Sequence, residues 1–204
     1  MKRLISIVLA FSTLTSFAQT SVDGFFAKVG ESRVSFDYTF LVNAQTKIKG
    51  SGDVTVQDDA FRMNGNGLEV WCDGSVRWTI DRDGEEAVVE SVEENGAARY
   101  SANPALLLTN LDKAFVRTKS ATDTFQGKKA WAVYMKPQVS CDVSMVKLYF
   151  VSSVLEGASV TVADGTQTDF VFSGWKFEEK TDSLSAFRFD ESSLGKDYWM
   201  TDLR

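Results

Sequence analysis

The segment RVSFDYTFLV, residues 33–42, alternates without a break: Val34, Phe36, Tyr38, Phe40 and Val42 fall on one parity and Ser35, Asp37 and Thr39 on the other. A period of two describes a strand with one face buried and one face wet. The same pattern returns in GDVTVQ, AFRMNG, GLEVWC, SVRWTI and AVVESV, and later in KAWAVYMKP, MVKLYFV, ASVTVA, TDFVFSGWKFE and a terminal AFRFD. Asp58-Asp59, Asn64-Gly65-Asn66-Gly67, Asp73-Gly74, Asp83-Gly84, Asn95-Gly96 and Asp164-Gly165 punctuate them, with the residues that tight turns require. Such a chain folds as roughly ten short antiparallel strands. In EVWCDGSVRWTID, residues 69–81, parity sets Val76, Trp78 and Ile80 against Ser75, Arg77 and Thr79.

Two stretches break this rhythm with helical spacing. In SVDGFFAKVGES, Val22, Phe25, Phe26 and Val29 recur at i, i+3, i+4 and i+7, with Ser21 placed to cap and Gly30 to stop; the spacing predicts a short helix over 21–29, weakened by Gly24. In ANPALLLTNLDKAF, Asn103 and Pro104 open a second helix that carries Leu107, Leu108, Leu111 and Phe115. With only two Pro and no linker or repeat, residues 19–204 read as one α+β domain built on a single curved antiparallel sheet.

Two short helices are little cover for so large an apolar face. Either the sheet curls into a barrel with a filled core, or its concave side holds a cavity beneath the helices. The inward residues on this reading are Phe25, Phe26 and Val29 from the first helix and Leu107, Leu108 and Leu111 from the second. The strands contribute Phe36, Tyr38, Phe40, Met63, Val70, Trp78, Ile80, Leu148, Phe150, Phe170 and Phe172.

The first twenty residues, MKRLISIVLAFSTLTSFAQT, follow Lys2 and Arg3 with an apolar run and place Ser16-Phe17-Ala18 before Gln19. This is the form of a secretory leader over residues 1–18, cut after Ala18, with an N-terminal core helix as the alternative. Of 22 Lys and Arg, two fall in that leader, against 28 Asp and Glu. So acidic a surface argues against nucleic acid and against electrostatic docking to anionic lipid. Cys72 and Cys141 fit either a disulfide or two small buried thiols. The chain has no His, which removes the commonest general base and zinc ligand and disfavours an enzyme. No cofactor or metal motif is present.

LEVWCDGSVRWTIDRDGEEAVVESV followed by ANPALLLTN, and then MVKLYFV through the final Phe187-x-Phe189, resemble in order and content the LolA family of periplasmic lipoprotein carriers. The shared signs are Asp73-Gly74, Trp78, Asp81, Pro104 to Leu108, the Asp164-Gly165 hairpin and the aromatic strand after it, over almost the whole mature chain. The resemblance implies an unclosed β-barrel with helices as a lid over an apolar cavity. It further implies a monomeric periplasmic protein that shields lipoprotein acyl chains between inner and outer membrane. Its partners would then be an inner-membrane ABC-type releasing complex and an outer-membrane acceptor. Family members commonly carry an Arg-Pro pair four residues ahead of the Phe corresponding to Phe61, where the Arg helps hold the lid; this chain has Gln57 and Asp58 there. A relative that carries or senses another amphiphile would keep the cavity without that latch, and a non-enzymatic interaction domain would keep only a filled core.

Overall fold

The computed structural model describes residues 21–92, 100, 102–109, 111–138, 141 and 143–204. The leader with its cut after Ala18, and the Asn95-Gly96 turn, lie outside the described residues. Helix α1, residues 21–31, leads into β1 (Arg33–Asn43). From there β2 (Ile48–Gln57), β3 (Ala60–Gly65), β4 (Leu68–Cys72), β5 (Val76–Asp81) and β6 (Glu86–Ser91) meander outward. Two short helices, α2 (Leu106–Thr109) and α3 (Leu111–Ala114), precede the opposite edge. A second meander, β7 (Phe115–Phe125), β8 (Lys128–Pro137), β9 (Val143–Val151), β10 (Val154–Val162) and β11 (Gln167–Glu178), returns to pair β11 with β1. The last strand, β12 (Trp199–Asp202), lies beside β6, so the sheet runs β12-β6-β5-β4-β3-β2-β1-β11-β10-β9-β8-β7. Its two ends are not paired to each other, and the barrel is unclosed.

Four expectations change in detail. Gly30 does not stop α1, which runs through residue 31; its φ is not left-handed, and Ser32 N–H closes the final turn on the Val29 carbonyl at 3.2 Å. Phe115 begins β7 rather than ending a helix, and β7 escapes pattern reading because its sequence FVRTKSATDTF is polar on both parities. AFRFD is not a strand: Leu184–Phe187 form a 3-10 turn, capped where the Ser183 hydroxyl accepts from Ser185 N–H. The true terminal strand, β12, is parallel to β6, the exception in an otherwise antiparallel sheet.

Between β11 and β12 the chain crosses the sheet as an extended strap, residues 179–198. Gln57 fixes its start, donating from Nε2 to the Thr181 carbonyl at 2.8 Å and accepting from Thr181 N–H at 3.0 Å, while Lys180 pairs with Asp58 at 2.5 Å. Asp190 caps a second 3-10 turn, Glu191–Ser193, and Glu191 accepts from Trp78 Nε1 at 2.8 Å. The helices cover one face of the sheet and the strap covers the other, and each face therefore has its own core.

Candidate functional site

The face beneath the helices is apolar across both meanders. Register places Phe36 opposite Val54, Val54 opposite Met63 and Met63 opposite Val70, and directly opposed residues share a face. On the other meander Phe170, Ala158, Leu148 and Val133 form the matching row. Phe25 of α1 descends into this surface, edge-on to Phe150 at 5.7 Å and to Trp175 at 5.2 Å. Leu106, Leu107, Leu111 and Ala114 close it from the α2–α3 side.

Two backbone devices shape the interior. Tyr38 lies flat across β2 and β3 because Gly52 and Gly65 carry no side chain beneath it: a Cβ on either would come within 2.8 Å and 2.5 Å of its ring or hydroxyl. Burial, and secondarily the Asp53 carboxylate, push the Tyr38 phenol up to about 12. The second device is a bulge at Gly174, φ +66, where Asp37 pairs with Ser173 but Ser35 with Lys176. The extra residue reverses strand parity, so Phe170 and Phe172 before it and Trp175 and Phe177 after it all belong to one interior. Trp175 stacks on Phe36 at 4.5 Å and donates from Nε1 to the Leu155 carbonyl at 3.0 Å. Asp37 and Thr39 are exposed on the other side of β1.

Of the residues the sequence placed inward, Phe25, Val29, Phe36, Tyr38, Met63, Val70, Leu107, Leu111, Leu148, Phe150, Phe170 and Phe172 are buried in this one cluster, with Phe26, Phe40 and Leu108 packed against it. Trp78 and Ile80 are not there. They are buried on the strap face with Ala87, Val89 and Phe189, because Val70 pairs with Thr79 and Trp71 with Trp78. Any hairpin loop of even length across Asp73-Gly74 gives Val70 and Trp78 opposite faces, so their separation was readable from the turn. Trp175 and Phe177 escape the sequence reading for the converse reason: simple parity opposes them to Phe172, and the signal was the lone glycine inside the strand.

Cys72 and Cys141 are both free thiols. Cys72 is buried, which pushes its thiol up, and it donates to the Asp59 carbonyl at 3.9 Å. No group of metal-ligating side chains occurs among the described residues, and no helix among them is long and apolar enough to cross a membrane. Beside Ser21 and Val22 of α1 a cavity of about 210 Å³ opens towards Thr122, Trp131 and Phe150 and touches the edge of the apolar interior. A larger space of about 480 Å³ lies on the strap face among Arg188, Glu191 and Arg204.

The family described as outer membrane lipoprotein carrier protein LolA matches residues 38–190. Among solved structures, an uncharacterized conserved protein from Thermus thermophilus is similar at 11% identity and a TM-score of 0.52, covering 91% of this chain and 98% of its own. A LolA superfamily protein from Nitrosomonas europaea is similar at 8% identity and a TM-score of 0.49, covering 84% of this chain and 97% of its own. No curated protein matches the chain. At such identity the Thermus likeness shows a shared fold.

Proposed function

Because the chain belongs to the LolA family of outer membrane lipoprotein carriers, we propose that it accepts the acyl chains of lipoproteins in the interior beneath α1 and α2–α3 and ferries them from inner to outer membrane. The observation that carries this reading is the continuity of the interior. One apolar surface spans both meanders and is closed by the helical residues 21–31 and by α2 and α3, of four residues each, rather than by sheet. An acyl chain loses about 0.8 kcal/mol per CH₂ when exposed to water, so transit between membranes demands such a cover. Ligand pockets span roughly 300–1,000 Å³. The cavity of about 210 Å³ beside Val22 and Phe150 therefore admits only the leading part of a chain, and full loading requires α1 or α2–α3 to swing away. Residues 1–18 are the export leader on this reading, the folded protein works in the periplasm as a monomer, and donor and acceptor are a membrane-bound ABC-type releasing complex and an outer-membrane acceptor.

One observation favours a second cargo, a glycolipid or other amphiphile. Gln57 and Asp58 occupy the positions of the family's Arg-Pro pair, and both engage the strap at Thr181 and Lys180 instead of a lid helix. Mass spectrometry of lipid extracted from protein purified without detergent tests the two together. Acylated peptides support lipoprotein cargo, and free lipid supports the alternative. A protein that yields neither, and binds no long-chain fatty acid stoichiometrically, has a filled core and is no carrier. In a true carrier, Leu107→Asp abolishes fatty-acid binding, because an unpaired charge is strongly disfavoured in that interior.

A further inference from the structure

The two ends of the sheet are defended very differently. At one end β7 carries a bulge between Arg117 and Lys119 and exposes Lys119, both recognised ways of blunting an edge strand. At the other end β12 has neither a bulge nor a proline, and its length of four residues is its main protection. Trp199 is 74% exposed and Leu203 63% on one face of the sheet, and Met200 is 42% exposed on the other.

The parallel ladder fixes which groups point outward. Trp199 N–H donates to the Glu85 carbonyl at 2.9 Å and Leu203 N–H to the Val89 carbonyl at 2.8 Å, so the odd-numbered residues face β6. Met200 and Asp202 therefore direct their backbone N–H and C=O groups away from the sheet. Trp199 and Leu203 lie on the helix face, in register with Glu86 and just beyond Val89. The row Leu68–Asp81–Glu86–Trp199 continues that face to the edge of the sheet, and Leu68 is itself 39% exposed.

Charge decides among occupants. Glu85, Glu86, Asp197 and Asp202 surround this edge and are exposed. Arg204 offsets one of Asp202 and Glu191, which it meets at 2.6 Å and 3.4 Å, Lys196 stands beside Asp197, and Arg82 is matched by Glu69 at 2.8 Å, so Glu85 and Glu86 leave the edge acidic on balance. A second copy would bring the same carboxylates together, and an anionic bilayer would be repelled likewise.

We propose that the outer edge of β12 is a docking site for an extended, cationic segment of a partner polypeptide, which joins the sheet as a further strand with apolar residues against Trp199 and Leu203. Backbone pairing supplies the affinity in such strand addition, and the side chains supply the specificity. The assignment does not depend on what occupies the helix-covered interior.

A blocked nine-residue peptide of alternating valine and lysine, titrated into the isotope-labelled protein, tests it, with the valine–glutamate peptide as control. Saturable shifts at the Met200 and Asp202 amides, and about tenfold weaker binding of the glutamate peptide, are expected. Met200→Pro removes an outward N–H that β6 does not use, and should weaken the lysine peptide about tenfold with the melting temperature unchanged. Trp199→Ser gives the same weakening by loss of packing and serves if the proline variant does not fold. The proposal is overturned by no saturable binding, by shifts on α1 or α2–α3 instead, or by equal binding of both peptides. It is also overturned by a dimer that Met200→Pro dissociates, or by co-sedimentation with phosphatidylglycerol vesicles that Trp199→Ser abolishes.

Discussion

From β1 to β3 and from β8 to β11 the sheet buries the side that faces the helices, whereas in β5 and β6 it buries the other side, beneath the strap. The strands themselves do not announce the change. VRWTID and FDYTFL alternate equally well, yet Trp78 and Tyr38 end on opposite sides of one sheet. Alternation reports that a face is covered and is silent about what covers it. The two cores also differ in kind: one is roofed by short helices, the other by an extended segment pinned at both ends, by Gln57 and by β12.

The comparison breaks most easily at Trp78. Trp78→Ala removes a fully buried ring and the Nε1 donor to Glu191, and should cost about 3–5 kcal/mol of stability while leaving fatty-acid binding intact in the molecules that remain folded. Denaturant titration beside a binding isotherm shows whether the strap core and the helix-covered interior are separable; loss of binding at full stability would contradict their separation. Gln57→Ala leaves the Thr181 N–H and C=O without their side-chain partner and should cost about 1–3 kcal/mol. Its signature is faster hydrogen exchange in residues 179–198, with α1 unchanged.

Tyr38 sharpens the helix side. Its phenol ionises near pH 10 when unfolded and at about 12 when folded. A folded value raised in this way contributes stability that is complete below pH 10 and lost as pH rises from 10 to 12. At about 1.36 kcal/mol per unit, the contribution is roughly 2–3 kcal/mol. Stability curves of the wild type and of Tyr38→Phe should run parallel below pH 10 and diverge above it, with the variant the less sensitive to alkali. The smallest effect belongs to Lys180→Ala, which removes a largely exposed ion pair with Asp58 and should change stability by under about 0.5 kcal/mol. A larger loss would mean that charge, rather than the Gln57 amide, anchors the strap.

Much of the sheet was legible because Phe36, Tyr38, Val54, Met63 and Leu148 sit in uninterrupted period-two runs between turn residues. Two kinds of information were not. Gly174 changes the face of Trp175 and Phe177 through a backbone conformation that hydropathy does not encode, and β7 is an edge whose side chains have no single buried face to advertise. AFRFD alternates like a strand through Phe187 and Phe189; both are indeed buried, but by a 3-10 turn and a strap laid onto the sheet, a construction with no period of its own.

The strap also sets an order of events. Trp78 meets Glu191 across 113 positions of chain, and β12 reaches β6 by a parallel pairing that no hairpin can seed. Both meanders pair strands that are neighbours in sequence, whereas the strap face also needs the final residues of the chain. Long-range closures of this kind are slow. During that interval Trp78, Ile80 and Val89 stand uncovered beside an open edge, so the folding chain passes through an adhesive stage whose length is set by residues 179–204. Truncating that segment would prolong the stage and should show first as aggregation during refolding rather than as weaker binding of a fatty acid.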